Sequence, residues 1–377
     1  MKNLKKVLAL VVAYAMFFTM SSFSSYAFSD VKEDASYLEA VTMLTKLGII
    51  NGYEDGTFLP DNTITRAEVA KVLVCALGNA DQAAGMTGNN TFTDVPSTHW
   101  AAGYINYCAS FGIINGVGNG KFDPDSPVTY EQIAKMIVAM LGYTPVANVK
   151  GGYPTGYLYV ANSMVKITKG ATGETGQPAK RWVVARLVFN ALDAPIMEQS
   201  SWKASDPDFT QGDKTLLKDY LEVTKVEGVV TNTFYQDTTL DDKDNKDIDI
   251  KVSSIDGYTS DSKLEDEGYN YSTGIDDTYT VDAKTTGAEE YLGYTVVAYV
   301  SNFDEGDDEL VAIAPKSNKN STLEVNFQDF EETTDTTGAE YSTPSISFEY
   351  YAKEDDTEPT TAKIYNKSND EAAYYVN

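Results

Sequence analysis

Histidine is almost missing from this chain. The single copy, His99, lies in the front half. A Ser-His-Asp centre in the back half is therefore excluded, as is a zinc site built from several imidazoles. Cysteine is nearly as scarce, with only Cys75 and Cys108. A secreted domain stapled by disulfides carries more. Both cysteines sit in apolar helical patterns, so buried free thiols are expected and a Cys75–Cys108 bridge has no support in the sequence. Positive charge is short: 29 Lys and Arg stand against 56 Asp and Glu, a net charge of −27. That balance argues against nucleic acid, because phosphate binding needs a basic face. No distinctive catalytic motif stands out either, so the chain reads as a non-enzyme. The competing reading is a carbohydrate-active enzyme, or an adhesin or carbohydrate-binding module, in the back half.

Long apolar runs are confined to the start. Lys2, Lys5 and Lys6 precede the apolar stretch Val7 to Met20, and Ser25-Tyr26-Ala27 fits a small-x-small cleavage site. Residues 1–27 thus read as a secretory signal peptide. The apolar run is shorter than the ~20 residues a membrane helix needs, and no later segment is long enough to span a bilayer. Charge then divides the rest in two. Residues 28–197 hold 15 acids against 12 bases, whereas 198–377 hold 41 against 14. A near-neutral front and a strongly acidic back are two parts with different surfaces.

The front half repeats itself, and such periodicity decides the architecture before any single motif does. Shifted by 64, residues 28–78 fall on 92–142 without a gap, and about a third of the positions are identical. Phe28-Ser29-Asp30-Val31 falls on Phe92-Thr93-Asp94-Val95. Gly48-Ile49-Ile50-Asn51-Gly52 falls on Gly112-Ile113-Ile114-Asn115-Gly116, and Gly56-x-Phe58-x-Pro60-Asp61 on Gly120-x-Phe122-x-Pro124-Asp125. A third, eroded copy follows: Arg181 falls on Arg66, Ala185 on Ala70, Arg186 on Lys71 and Leu192 on Leu77. Its lead-in, Gly151 to Tyr157, lacks the Phe-x-Asp-Val start. Each copy reads as helix–loop–helix. Tyr37, Val41, Leu44 and Leu47 make one apolar stripe, and Gly48 suits a helix stop. Thr65-x-x-Glu68 is a capping box, kept as Thr129-x-x-Gln132 and lost in the third copy, which has Lys180 and Val183. One helix pair of ~50 residues cannot bury its apolar face alone, so the copies should pack together. The expected fold is an all-α bundle of three helix–loop–helix repeats (28–80, 92–142, 143–197), a linker at 198–219, and an all-β, sandwich-like acidic region at 220–377.

With these residues in view, the front half resembles the S-layer homology domain. Phe-x-Asp-Val, His99-Trp100-Ala101, Gly-Ile-Ile-x-Gly, Gly-x-Phe-x-Pro and Ile64-Thr65-Arg66-Ala67-Glu68 carry the resemblance, which covers about 28–195. It implies a pseudo-threefold bundle whose grooves bind secondary cell-wall polysaccharide, commonly pyruvylated and so anionic. It also implies a secreted protein at the cell wall or S-layer of a bacterium, with further copies of itself as possible lattice partners. Arg66 agrees with this independently. A cation at the first helical position opposes the helix dipole, but together with helix N-terminal amides it makes an anion site. The second repeat has Tyr130 at that place, and the third keeps Arg181 beside Lys180, so one or two grooves should be competent. Asp30 and Asp94 either shape the groove or hydrogen-bond their own loops. Trp100 either stacks on a sugar or packs between repeats. Gly52 and Gly116 either admit a sugar to the backbone or are plain turn glycines. His99 reads as an exposed loop residue.

In the acidic half, Glu222–Val230, Thr295–Val300, Leu310–Ala314, Leu323–Phe327, Ile346–Tyr350 and Ala362–Ile364 read as strands. Two acidic clusters could hold Ca²⁺, which takes several oxygen ligands: Asp242, Asp244 and Asp247, and Asp304, Asp307 and Asp308. Neither matches an EF-hand, and a solvated acidic loop explains them equally. No other cofactor is expected.

Overall fold

A computed structural model describes residues 28–32, 35–88, 91–203, 206–233, 247–266, 268–269, 271–283, 286–303 and 308–316, and strands at 330–333, 345–350, 360–365 and 375–376. The signal peptide expected at 1–27, the strand expected at 323–327, and Asp242, Asp244, Asp304 and Asp307 lie outside the described residues. The chain divides into two compact units, Met1–Val223 and Thr224–Asn377.

The first unit is helical: α1 (Leu38–Lys46), α2 (Arg66–Ala76), α3 (Ala80–Ala84), α4 (Ala102–Ser110), α5 (Tyr130–Met140), α6 (Thr144–Val149), α7 (Thr155–Tyr159), which continues through a π-helical turn at Val160–Met164, and α8 (Arg181–Leu192). The helix starts follow from their caps. Thr65 Oγ1 accepts from Glu68 N–H at 3.2 Å while Glu68 Oε2 accepts from Thr65 N–H at 2.7 Å. Gln132 Oε1 accepts from Thr129 N–H at 3.2 Å. At α8 Lys180 occupies the cap and offers no side-chain bond. Gly48 and Gly112, both at φ +69°, end α1 and α4 in the left-handed conformation that glycine tolerates.

Three helix pairs close into a ring. The second helix of each unit packs on the first helix of the next: α2 on α4, α5 on α7, and α8 back on α1. Tyr37 stacks on Trp182 at 5.3 Å across that last joint. The helices α2, α5 and α8 also touch one another in pairs, with Leu73, Ile133, Ile137 and Leu187 fully buried. The same cycle is written in backbone hydrogen bonds. Arg66 N–H donates to Ser126 O, Tyr130 N–H to Gln177 O, and Arg181 N–H to Asn62 O, at 3.0, 3.1 and 2.8 Å. A helical unit at 143–197 thus takes the third place in the ring, although its sequence is eroded.

The stretch 198–219, expected as a linker, is structured instead. β1 (Met197–Lys203) pairs antiparallel with β2 (Asp206–Gln211), and α9 (Leu216–Asp219) follows with Leu216 and Leu217 buried. Met197 N–H donates to Leu141 O at 2.9 Å, and Tyr143 Oη to Pro195 O at 2.9 Å. A hairpin held by backbone bonds shows no apolar alternation, which is why its sequence reads as a polar bridge.

The second unit contains an antiparallel sheet of β3 (Val223–Thr233), β4 (Asp247–Ile255), β5 (Thr278–Asp282), β6 (Thr295–Ser301) and β7 (Glu309–Pro315), in the order β5-β4-β3-β6-β7. Its core face alternates as two-residue periodicity requires: Ile248, Ile250 and Val252 on β4, and Val296, Ala298 and Val300 on β6. A sandwich would cover this face with a second sheet. Here the sheet curls, its edge strands β5 and β7 approach each other, and Tyr279 Oη donates to Asp308 at 2.7 Å. Leu264, Phe303, Tyr269 and Tyr271 help to close the core. Alternation alone could not separate a curled sheet from a sandwich. A further sheet joins strands 330–333, 345–350, 360–365 and 375–376. No helix among the described residues is long and apolar enough to cross a membrane.

Gly52 and Gly116 answer to packing. A Cβ on Gly116 would lie 2.5 Å from Lys121 O and 2.8 Å from Phe92 Cε1, and one on Gly52 would lie 2.0 Å from Phe28 Cε1. Gly116→Ala should therefore cost about 1–3 kcal/mol and lower the melting temperature of the helical unit. An unchanged melting curve would show that the loop yields freely.

Candidate functional site

The junctions between helical units gather most of the candidate residues. Arg66 enters α2 at its first position, and its side chain crosses to the next unit. Nε donates to Phe122 O at 2.9 Å, Nη2 to Asn115 O at 2.9 Å, and Nη1 weakly to Gln132 Oε1 at 3.5 Å. Its guanidinium lies over the Phe122 ring at 4.5 Å. Arg181 repeats this from α8 into the first unit: Nε to Phe58 O at 2.9 Å and Nη2 to Asn51 O at 3.1 Å. Its Nη1 is 3.7 Å from Glu68 Oε1, and Tyr53 and Phe58 flank it, each 4.9 Å away. Both arginines are only 4% exposed. The guanidinium fork suits this work, since several donors reach separate carbonyls from one side chain.

The helix amides expected to help bind an anion are already occupied. Arg66 N–H and Ala67 N–H donate to Ser126 O and Pro124 O, and Glu68 N–H donates to Thr65 Oγ1. The reason is the ring closure itself, which uses each helix start as a joint. Any anion site here rests on side-chain cations alone. Burial pulls the pKa of Arg66 below its ordinary value, with Asp123, Tyr153 and Asp94 acting the other way. The group stays charged, so its charge is held at a cost. Lys135 lies beside it: burial first and the Arg66 charge second lower its pKa. With its amide oriented to satisfy both ends, Asn115 accepts from Lys135 Nζ at 2.9 Å. Lys135 Nζ also sits 5.4 Å from the Tyr153 ring centre. At the third junction Tyr130 replaces the arginine and its ring abuts Gly173, where a Cβ would come within 2.3 Å.

The other candidates divide. Lys180 pairs with Asp61 at 2.8 Å on an exposed surface, a contact worth ~0–1 kcal/mol. Asp30 accepts from Phe58 N–H and Leu59 N–H at 2.7 and 2.8 Å, and Asp94 accepts from Phe122 N–H and Asp123 N–H at 2.8 Å each. Both carboxylates hold the backbone whose carbonyls receive the arginines. Trp100 stands at the surface, 56% exposed, stacked on His99 at 5.9 Å. His99 Nδ1 accepts from Ala101 N–H at 3.1 Å. Both cysteines are free, and burial pushes the Cys108 thiol up to about 12, which keeps it inert. Asp247 lies on β4 and Asp308 binds Tyr279. Among the described residues no cluster of three or more His, Cys, Asp or Glu is placed to hold a metal. Lys135 and Tyr153 carry no local sequence signal of a site, and Gln132 and Asn115 read from sequence only as a cap and a turn residue. The one available signal was that the 64-residue shift keeps both the lysine (Lys71, Lys135) and the asparagine (Asn51, Asn115).

Comparison with known proteins matches the S-layer homology domain to residues 27–70 and 91–134. Two S-layer homology domains therefore open this chain. A cell surface protein of Thermoanaerobacter kivui is 32% identical over 322 residues, 83% of this chain and 37% of that one. A surface layer protein of Brevibacillus choshinensis is 36% identical over 227 residues, 59% of this chain and 20% of its own. The middle cell wall protein of Brevibacillus brevis is 34% identical over 226 residues, 59% and 21%. The chain spans between about a fifth and just over a third of the length of these relatives, whose names place them at the cell surface, the surface layer or the cell wall. The two domains supply both partners of the Arg66 junction. The Arg181 junction joins the first domain to the unit at 143–197, which the domain comparison does not reach.

The Asp94 clamp has a testable pH signature. Burial raises its pKa, but the amides of Phe122 and Asp123 outweigh this, and the net value falls below the ordinary 3.8. A depressed folded pKa contributes stability above the unfolded value that is lost as pH falls through the folded one. Asp94→Asn should destabilise by about 0.5–1.5 kcal/mol at neutral pH, the partly exposed carboxylate being screened by solvent, and the gap from the parent should narrow as pH falls below 3.8. Thermal melts across that range decide it: a gap that stays constant in acid would mean the charge is irrelevant.

Proposed function

We propose that the helical unit holds this chain non-covalently at the bacterial cell surface by gripping an anionic, pyruvylated secondary polysaccharide of the wall, with residues 143–197 acting as a degenerate third S-layer homology repeat. The protein is read as secreted, and as an S-layer or other structural component of the wall. The observation that carries this is Arg66: a buried guanidinium that meets only neutral acceptors and makes no ion pair among the described residues. A guanidinium has five donors, and three bonds from Arg66 are seen, which leaves capacity for a carboxylate. Trp100 offers an exposed ring for a sugar face, and Asp30 and Asp94 set the backbone around each junction. The surface-layer and cell-surface relatives support the location.

Sedimentation with isolated walls tests the reading. The mature chain should pellet with walls that keep their secondary polysaccharide and stay in solution with walls stripped of it. Arg66→Ala should weaken pelleting at least tenfold, with circular dichroism used to check that the helices persist. Equal binding to stripped peptidoglycan would show that the ligand has been misread.

A further inference from the structure

The two arginine junctions are built alike and charged differently. Under the 64-residue shift, Asn51, Phe58, Glu68 and Lys71 of the first repeat become Asn115, Phe122, Gln132 and Lys135 of the second. Arg181 bonds Asn51 and Phe58 of the first set and Arg66 bonds Asn115 and Phe122 of the second, each through Nε and Nη2. The difference lies opposite Nη1. Arg181 faces the carboxylate of Glu68 at 3.7 Å, whereas Arg66 faces the neutral amide of Gln132 at 3.5 Å. Tyr53 also covers Arg181, and the equivalent position in the second repeat is Val117, which has no ring to offer.

We propose that the Arg66 junction is the one that takes a carboxylate of the wall polymer, with Lys135 as its second cation and Gln132 as the residue that keeps it open, while Glu68 neutralises the Arg181 junction from within. This rests on the reading that the polymer is gripped at these junctions. Lys135 is bound to Asn115 and stands over the half-exposed ring of Tyr153, close enough to Arg66 to feel its charge. The acids nearby are engaged elsewhere. Glu131 accepts from Gly176 N–H at 2.8 Å and faces the Tyr153 hydroxyl at 3.5 Å. Asp94 holds two amides, and Asp123 accepts from Ser126 Oγ at 2.7 Å. Neither Asp94 nor Asp123 ion-pairs with Arg66. A buried guanidinium beside a partly buried ammonium, with no carboxylate bonded to either among the described residues, carries an electrostatic cost that an incoming anion removes. At Arg181 the protein's own glutamate has already removed it.

A reciprocal swap separates the junctions without disturbing the helix caps, because glutamate caps α2 and glutamine caps α5 in the same protein. The mature chain and its variants are titrated onto isolated walls that retain their polysaccharide. Gln132→Glu and Lys135→Gln should each weaken wall binding about tenfold or more at unchanged melting temperature. Glu68→Gln should bind as well as the parent or better. If the parent binds walls while Gln132→Glu and Lys135→Gln bind equally well, the asymmetry is wrong and the anchoring reading stands. If Glu68→Gln is the variant that loses binding, the roles of the junctions are reversed. If the parent fails to bind intact walls, the anchoring reading falls and takes this inference with it.

Discussion

Everything in the helical unit depends on one joint: a helix start that donates its first amides to a loop of the neighbouring unit. Helix N-termini carry unpaired N–H groups that must find partners. Here the first of them find carbonyls across a junction, at Ser126 and Pro124 for α2 and at Asn62 and Pro60 for α8. Because each unit both gives and receives such bonds, two units alone would leave one start and one loop unpaired. Three close the cycle. The arginine side chain extends the same joint, reaching one residue type, phenylalanine, through its carbonyl at 2.9 Å in both junctions.

That dependence explains how the third unit holds its place without the motifs of the first two. The ring is made by backbone groups and by the apolar faces of α2, α5 and α8, not by the Phe-x-Asp-Val lead-in or the capping box. Lys180 at the cap of α8 gives up a side-chain bond, yet Arg181 N–H and Trp182 N–H still donate to Asn62 O and Pro60 O. Tyr130 likewise surrenders the guanidinium and still makes the backbone bond to Gln177. The backbone joints are therefore kept where the side chains at them differ.

Much of this was legible in the residues, and the part that was not has a physical cause. Helical periodicity, Thr65-x-x-Glu68 and the left-handed Gly48 are local signals, so helices and their ends could be read directly. What Arg66 touches is a contact across 49 to 66 residues of sequence, and nothing local reports it. Its placement at a helix start looked like an open anion site because the partner carbonyls were invisible. Gly52 and Gly116 looked ambiguous until Phe28 and Phe92 were seen against them. Asp30 and Asp94 proved to act through the carbonyl-bearing loops, one step behind the arginines. In the second unit, alternation identified β4 and β6 but could not say whether the sheet would meet another or curl.

Charge sets the last constraint on how such a chain holds an acidic polymer. Its net charge is −27, the same sign as the ligand proposed for it, so attraction at long range cannot be the source of binding. Salt confines each exposed charge to a range of about 8 Å at physiological ionic strength, which blunts the repulsion of the many surface acids. A cation taken out of water is screened far less, and its bond to a carboxylate strengthens accordingly. A near-neutral helical unit with a few desolvated cations at its joints is therefore the arrangement that can grip an anion in spite of the molecule's own field. On the proposed reading, the two arginine joints differ by one neutral-for-charged exchange, Gln132 against Glu68.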